Sequence, residues 1–109
     1  MKNNFVELVL TCGSWQEAQR IADSLLEKKL VACVEFMDIK SKYRWHDDIV
    51  GGKEVKLIMQ SVEHLFDKIE TEIKQLHSYE KFVLQQIPLT NLSEAARIWL
   101  EESTDARTS

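Results

Sequence analysis

No stretch of this chain is long, apolar and uncharged enough to serve as a signal peptide or to cross a membrane; the N-terminal run beginning at Phe5 is broken by Glu7 two residues later. A cytoplasmic setting without a membrane partner is the expectation. Cysteine is scarce too. Cys12 and Cys33 lie too far apart for a C-x-x-C redox or zinc motif, and two thiols make no secreted disulfide framework, so both are expected reduced. Basic charge is not in excess: 14 Lys and Arg against 18 Asp and Glu leave a net charge of −4, which excludes a general nucleic-acid binder relying on phosphate neutralisation. Low-complexity tracts are missing, as are the G-x-x-x-x-G-K and G-x-G-x-x-G phosphate loops, H-E-x-x-H and the nucleophile elbow. No catalytic apparatus is expected.

What is present suits one small domain. At 109 residues, folding hides about two thirds of the surface of the extended chain, so the core needs no metal or disulfide to hold it. The domain is read over 1–102, with a flexible polar tail over 103–109. Residues 5–12, rich in Phe, Val and Leu, read as a mostly buried strand. Ser14 followed by Glu17 forms a capping box, and Ala18, Ile21, Ala22, Leu25 and Leu26 then draw one apolar stripe along a helix ending near Lys28 and Lys29. Beyond Met37 the period changes to two, with Ile39, Tyr43 and Trp45 opposite Lys40, Lys42 and Arg44. Joined to 31–34, this predicts one long strand bulged near Glu35, turning at His46-Asp47-Asp48 and Gly51-Gly52 into a partner carrying Val55, Leu57 and Met59. Residues 31–60 therefore read as a long hairpin.

Ser61 is read as the cap of a second helix built on Val62, Leu65, Phe66, Ile69, Ile73 and Leu76. A short strand over 82–87 ends at Pro88, and Asn91 with Glu94 opens a last helix carrying Ile98, Trp99 and Leu100. The order β-α-β-β-α-β plus a short helix is that of an α+β ferredoxin-like sandwich. It places both long helices on one face of the sheet and leaves the other face in need of cover, which self-association supplies.

Three groups of residues invite chemistry. His46-Asp47-Asp48 offers ligand types but not metal-ligand spacing, so a solvated turn is the plainer reading. Cys33 reads as a small hydrophobe in an apolar strand; Cys12, ahead of a helix start, has packing or a lowered pKa as its alternatives. His77-Ser78-Tyr79-Glu80 gathers an imidazole, a phenol and a carboxylate in one connection; here closing the helix end competes with a ligand role. Tyr43, Trp45 and Trp99 can line a pocket or an interface. The loop 11–15 after the first strand lacks the arginine a small acyl-phosphate hydrolase of this fold would carry, so that activity has only fold analogy behind it.

Ala18, Ile21-Ala22, Leu25, the run 30–34, Ser41-x-Tyr43-x-Trp45, Ile49, Glu54, His77-x-Tyr79-Glu80 and Trp99 together resemble the CutA divalent-cation-tolerance family, in order and spacing, from Thr11 to Trp99. The resemblance implies a homotrimer in which long hairpins exchange strand contacts, similar to the PII signalling proteins, and a link to tolerance of copper and other divalent cations. It implies an intersubunit cleft at Tyr43, Trp45, Glu54 and Tyr79, with His77, Glu80 and Cys33 as candidate metal ligands. A PII-like scaffold that binds a protein partner without metal is the alternative function. The chain departs from the family pattern at Ser78, Phe82 and Val83, where prolines and a glutamate are usual, and at Gln60-Ser61 and Ala96.

Overall fold

The computed structural model describes residues 4–106. Strand β1 (Phe5–Cys12) alternates half-buried and buried side chains along its length, so Val6, Leu8, Leu10 and Cys12 form one core-facing row. Helix α1 (Trp15–Glu27) starts at Ser14, whose hydroxyl accepts from Glu17 N–H at 3.2 Å. The return half of the expected capping box is not made, because the Glu17 carboxylate turns to the Gly13 N–H instead. The stripe of Ala18, Ile21, Ala22 and Leu25 is buried, whereas Leu26 sits at its edge and is exposed. Lys28 caps the helix and reaches across to Glu72 at 2.8 Å, and Lys29 takes the left-handed conformation (φ 57°) that turns the chain away.

Strands β2 (Cys33–Trp45) and β3 (Asp48–Val62) pair antiparallel from Cys33 opposite Gln60 to Trp45 opposite Asp48, and the register never slips. The bulge expected at Glu35 is therefore absent: Glu35 pairs one-to-one with Ile58, and its odd parity in the sequence only reflects a charged residue on the helix-free face. His46 and Asp47 alone make the turn, with His46 at φ 56°. Gly51 and Gly52 lie inside β3, opposite Lys42 and Ser41, rather than in the turn. A Cβ on Gly51 would stand 2.5 Å from the Ser41 carbonyl oxygen, so close backbone approach explains that glycine.

Ser61 is also reassigned. It is the buried penultimate residue of β3 and donates to the Leu30 carbonyl at 2.6 Å, while a 3-10 turn (Glu63–Leu65) leads into α2 (Phe66–Leu76) without a side-chain cap. Strand β4 (Leu84–Pro88) lies at the sheet edge, where a terminal proline costs no ladder bond. Helix α3 (Glu94–Ser103) is capped by Ser93, two residues later than Asn91, through its bond from Ala96 N–H. Leu100 is buried, while Ile98 and Trp99 of the same helix remain exposed.

The sheet order β2-β3-β1-β4, with both long helices on one face, is the ferredoxin-like arrangement. The core lies between Leu8, Leu10, Leu57 and Met59 of the sheet and Ile21, Leu25, Ile69 and Ile73 of the helices. Part of the stretch expected as a tail packs as well: Thr104 and Ala106 are buried, and Asp105 N–H bonds the Lys29 carbonyl at 2.8 Å. Backbone pairing to a distant loop outweighs the polar composition there; residues 107–109 lie outside the described residues.

Candidate functional site

β1 stops at Cys12 opposite Val55, so the hairpin beyond Ile39 and Glu54 has only itself as a sheet partner. It projects as an arm, and the molecule is correspondingly long, 47 × 26 × 21 Å. Between this arm and the connection after α2 lies an open cleft of about 890 Å³ on the helix-free face. Its floor is Val9, Thr11, Lys56 and Gln85 of the sheet; Tyr43, Trp45 and Glu54 come from the arm, and Tyr79, Glu80 and Lys81 from the connection. The four residues expected in the cleft, Tyr43, Trp45, Glu54 and Tyr79, are thus brought together, with Glu80 beside them.

Burial fixes the Tyr79–Glu54 pair. The phenol donates to the Glu54 carboxylate at 2.8 Å, and Glu54 is only 9% exposed. Burial first, then the hydrogen bond and charge of Glu54, push the Tyr79 pKa well above its ordinary value, so the hydroxyl remains a donor. The ring can sit so deep because residue 13 is glycine: a Cβ there would meet Tyr79 Oη at 3.0 Å. On the arm, Trp45 is half exposed, touches His46 edge-on at 5.1 Å, and lies 6.0 Å beneath the Lys81 ammonium.

His77 faces the other way. Its side chain is fully buried, stacked on Phe82 at 5.2 Å between ring centres. Nε2 lies 2.8 Å from the Thr11 carbonyl, which can only accept, and Nδ1 lies 3.0 Å from the Tyr79 N–H, which can only donate. The ring is thereby the neutral Nε2–H tautomer with both nitrogens committed. Nδ1 is also 3.5 Å from Glu17 Oε1, but with no proton on Nδ1 this is a contact and not an ion pair.

Glu17 is the residue that sequence reasoning assigned only to a cap. Oε1 accepts from Gly13 N–H at 3.2 Å and Oε2 from Ser78 N–H at 2.8 Å, so one carboxylate ties the start of α1 to the connection after α2. Burial works against its ionised form, yet the hydrogen bonds from Ser78 and Gly13 outweigh burial and hold its pKa below the ordinary 4.5. Cys12, Glu17 and His77 place ligand atoms within 4.8 Å of one another, the grouping of metal-ligand types found among the described residues. They do not fit a metal as they stand. Both imidazole nitrogens and both carboxylate oxygens are used, and burial, then the charges of Glu17 and Glu54, push the Cys12 thiol up to about 12. The alternative of a helix-activated Cys12 fails for the same reason.

The expected ligands His77, Glu80 and Cys33 are not gathered. Glu80 lines the cleft, His77 is locked behind it, and Cys33 sits opposite Gln60. Thr11, the partner of His77, is opposite Lys56. Four strand positions, about 13 Å, therefore separate Cys33 from the histidine's level. Burial, then Glu35, raises the Cys33 pKa as well. Sequence reasoning also missed two lysines that line the cleft, Lys56 and Lys81. Lys42 and Arg44 border the cleft, although alternation along β2 puts them on the face opposite Tyr43 and Trp45.

Known proteins share this arrangement. The profile of the CutA1 divalent ion tolerance protein family matches residues 6–103. The divalent-cation tolerance protein CutA of Archaeoglobus fulgidus is 34% identical over 103 residues, covering 94% of this chain and 99% of its own. Among solved structures, the divalent cation tolerance protein of Thermus thermophilus superposes with a TM-score of 0.89 at 30% identity, over 92% of this chain and 98% of that one. CutA1 from Oryza sativa gives 0.90 at 26% identity, over 93% and 94%. With the profile running from β1 to the end of α3, and a relative of that similarity along its full length, this chain belongs to the CutA1 divalent ion tolerance protein family.

Proposed function

We propose that this protein is a binding or sensing module rather than an enzyme, that three copies associate through their helix-free faces, and that the cleft beside the hairpin arm takes a small ligand. One observation carries the reading. Met37, Tyr43, Trp45, Val83 and Ile87 are 43–59% exposed on the helix-free side, an apolar surface that a single copy leaves in water. Sister copies are the partner always at hand, and a projecting arm reaches a neighbour where a flat face does not. The number three follows the resemblance to the family.

The relatives' names speak of divalent cations. In this chain a Cu²⁺ or other divalent ion at His77 would have to displace the Thr11 or Tyr79 bond first, so the open cleft is the better supported ligand site. A cytoplasmic setting is supported by two free thiols. Relatives vary in this, since a solved structure from Archaeoglobus fulgidus is called periplasmic and a relative in Arabidopsis thaliana, known by its sequence match, is called chloroplastic. No helix among the described residues is long and apolar enough to cross a membrane.

Light scattering tests the assembly. The expected mass is three times the 12.7 kDa of one chain, and a monomer mass at micromolar concentration would refute it.

A further inference from the structure

The arm has a second face, opposite Tyr43 and Trp45. Register pairs Lys40 with Lys53, Lys42 with Gly51 and Arg44 with Ile49, and the same row runs inward to Asp38 opposite Val55 and Phe36 opposite Leu57, which pack toward the helices. The helix side of the arm therefore carries Lys40, Lys42, Arg44 and Lys53, all of them exposed. Lys40 and Lys53 stand directly across the ladder, about 5 Å apart at Cβ, where like charges cost stability. Among the described residues, none of the four has an ion-pair partner. The one carboxylate in the row, Asp38, already accepts the Trp15 indole N–H at 2.7 Å. Apolar side chains close both ends of the face: Trp15, stacked on Phe36 at the base, and Ile49, 69% exposed beside Arg44 near the tip.

The excess of positive charge is local. Of 14 Lys and Arg, four stand here, which leaves ten to set against 18 Asp and Glu. A long polyanion or an anionic membrane would meet that acidic remainder as well, whereas a short acidic segment meets the arm alone. Spacing selects the segment's shape. Side chains on one face of an extended chain recur every roughly 7 Å, which is also the interval between Lys40, Lys42 and Arg44 along β2.

We propose that the helix-side face of the arm docks an extended acidic segment of a partner protein, its alternate Asp or Glu side chains on Lys40, Lys42, Arg44 and Lys53 and its apolar ends on Trp15 and Ile49. The inference rests on assembly through the helix-free faces, which covers Tyr43 and Trp45 and leaves this side of each arm outward. It does not involve the cleft.

The test is fluorescence anisotropy on the full chain in low salt. The probe is a labelled peptide of about nine residues, long enough to span the face, in which Glu alternates with Thr between terminal leucines. It is set against the same peptide with Gln for Glu, a thymidine oligonucleotide, and vesicles of phosphatidylserine and phosphatidylcholine. The Glu peptide should bind at least about tenfold more tightly than the Gln peptide, and added salt should weaken it. K40Q/K42Q should lose about tenfold, while K68Q/K74Q, which removes the same charge from exposed positions of α2, should change binding by less than about twofold.

Equal binding of the Gln peptide, equal losses in the two variants, or tighter binding of the oligonucleotide or the vesicles would each overturn the proposal. Light scattering on the same samples keeps the two readings apart. A trimer that ignores the Glu peptide sinks the docking face alone, and a wild-type monomer that binds it sinks the assembly and leaves the docking face standing. A trimer that falls apart in K40Q/K42Q would mean that sister copies cover this face, and the proposal would fall.

Discussion

A carboxylate almost wholly removed from water survives at Glu17 because two backbone N–H groups, from Gly13 and Ser78, point at its oxygens. Its folded pKa is depressed, so its contribution is present above the unfolded value near 4.5 and disappears as pH falls through the lower folded value. Thermal melts should therefore show wild-type stability dropping as pH is lowered below 4.5, with a shallower drop in E17Q. At neutral pH, E17Q should cost about 2 kcal/mol in urea unfolding, since its amide faces one of the N–H donors with another donor. Equal melting curves for the two proteins across that range would show that the bridge adds nothing.

Tyr79 and Glu54 form the second pair at this scale. Removing the hydroxyl in Y79F leaves a buried carboxylate short of a donor and should destabilise by about 1–3 kcal/mol. In Y79F/E54Q the loss should be smaller than the sum of the single losses, because the two residues answer to one bond. Additive losses in the double-mutant cycle would place the stabilisation elsewhere.

The hairpin is the element that sets this protein apart from a plain four-stranded sandwich. Past Val55 it loses β1 as a neighbour and is held by its own ladder alone, so small backbone changes are felt. Two adjacent glycines give a controlled comparison. G51A forces a methyl to within 2.5 Å of the Ser41 carbonyl and should cost about 1–3 kcal/mol, or splay the arm, while a Cβ on Gly52 meets nothing within 4 Å and G52A should be near neutral. Denaturant midpoints of the two variants check this; equal midpoints would mean the arm is slack enough to absorb the methyl.

At the scale of the whole molecule, the two faces of the sheet have opposite fates. One is sealed by α1 and α2; the other presents Ile58 at its centre, between Val9 and Glu35 on the flanking strands. I58D leaves the helix-packed core untouched but puts an unpaired charge where sister copies are proposed to meet, a loss of several kcal/mol per buried charge. Light scattering should then return a monomer with the circular dichroism of a folded chain; an intact trimer would move the interface off this face.

Much of this was open to reading along the chain. Period two in β1, β2 and β3, helical stripes in α1 and α2, and the serine ahead of α1 are local signals, and each is reproduced by an element. So was the family, whose residues recur at readable intervals from Thr11 to Trp99. Four departures share one cause: they are decided by partners far away in sequence. Ser61 answers to Leu30, Glu17 to Ser78, His77 to Thr11, and Asp105 to Lys29, separations that no periodicity encodes. The order of residues determined the elements, their order and the row of side chains each strand offers, because those depend on neighbours two to four positions apart. Only the folded arrangement decided that the histidine is locked rather than free and that Tyr79 meets Glu54, because a hydrogen-bond partner exists only once distant segments are brought side by side.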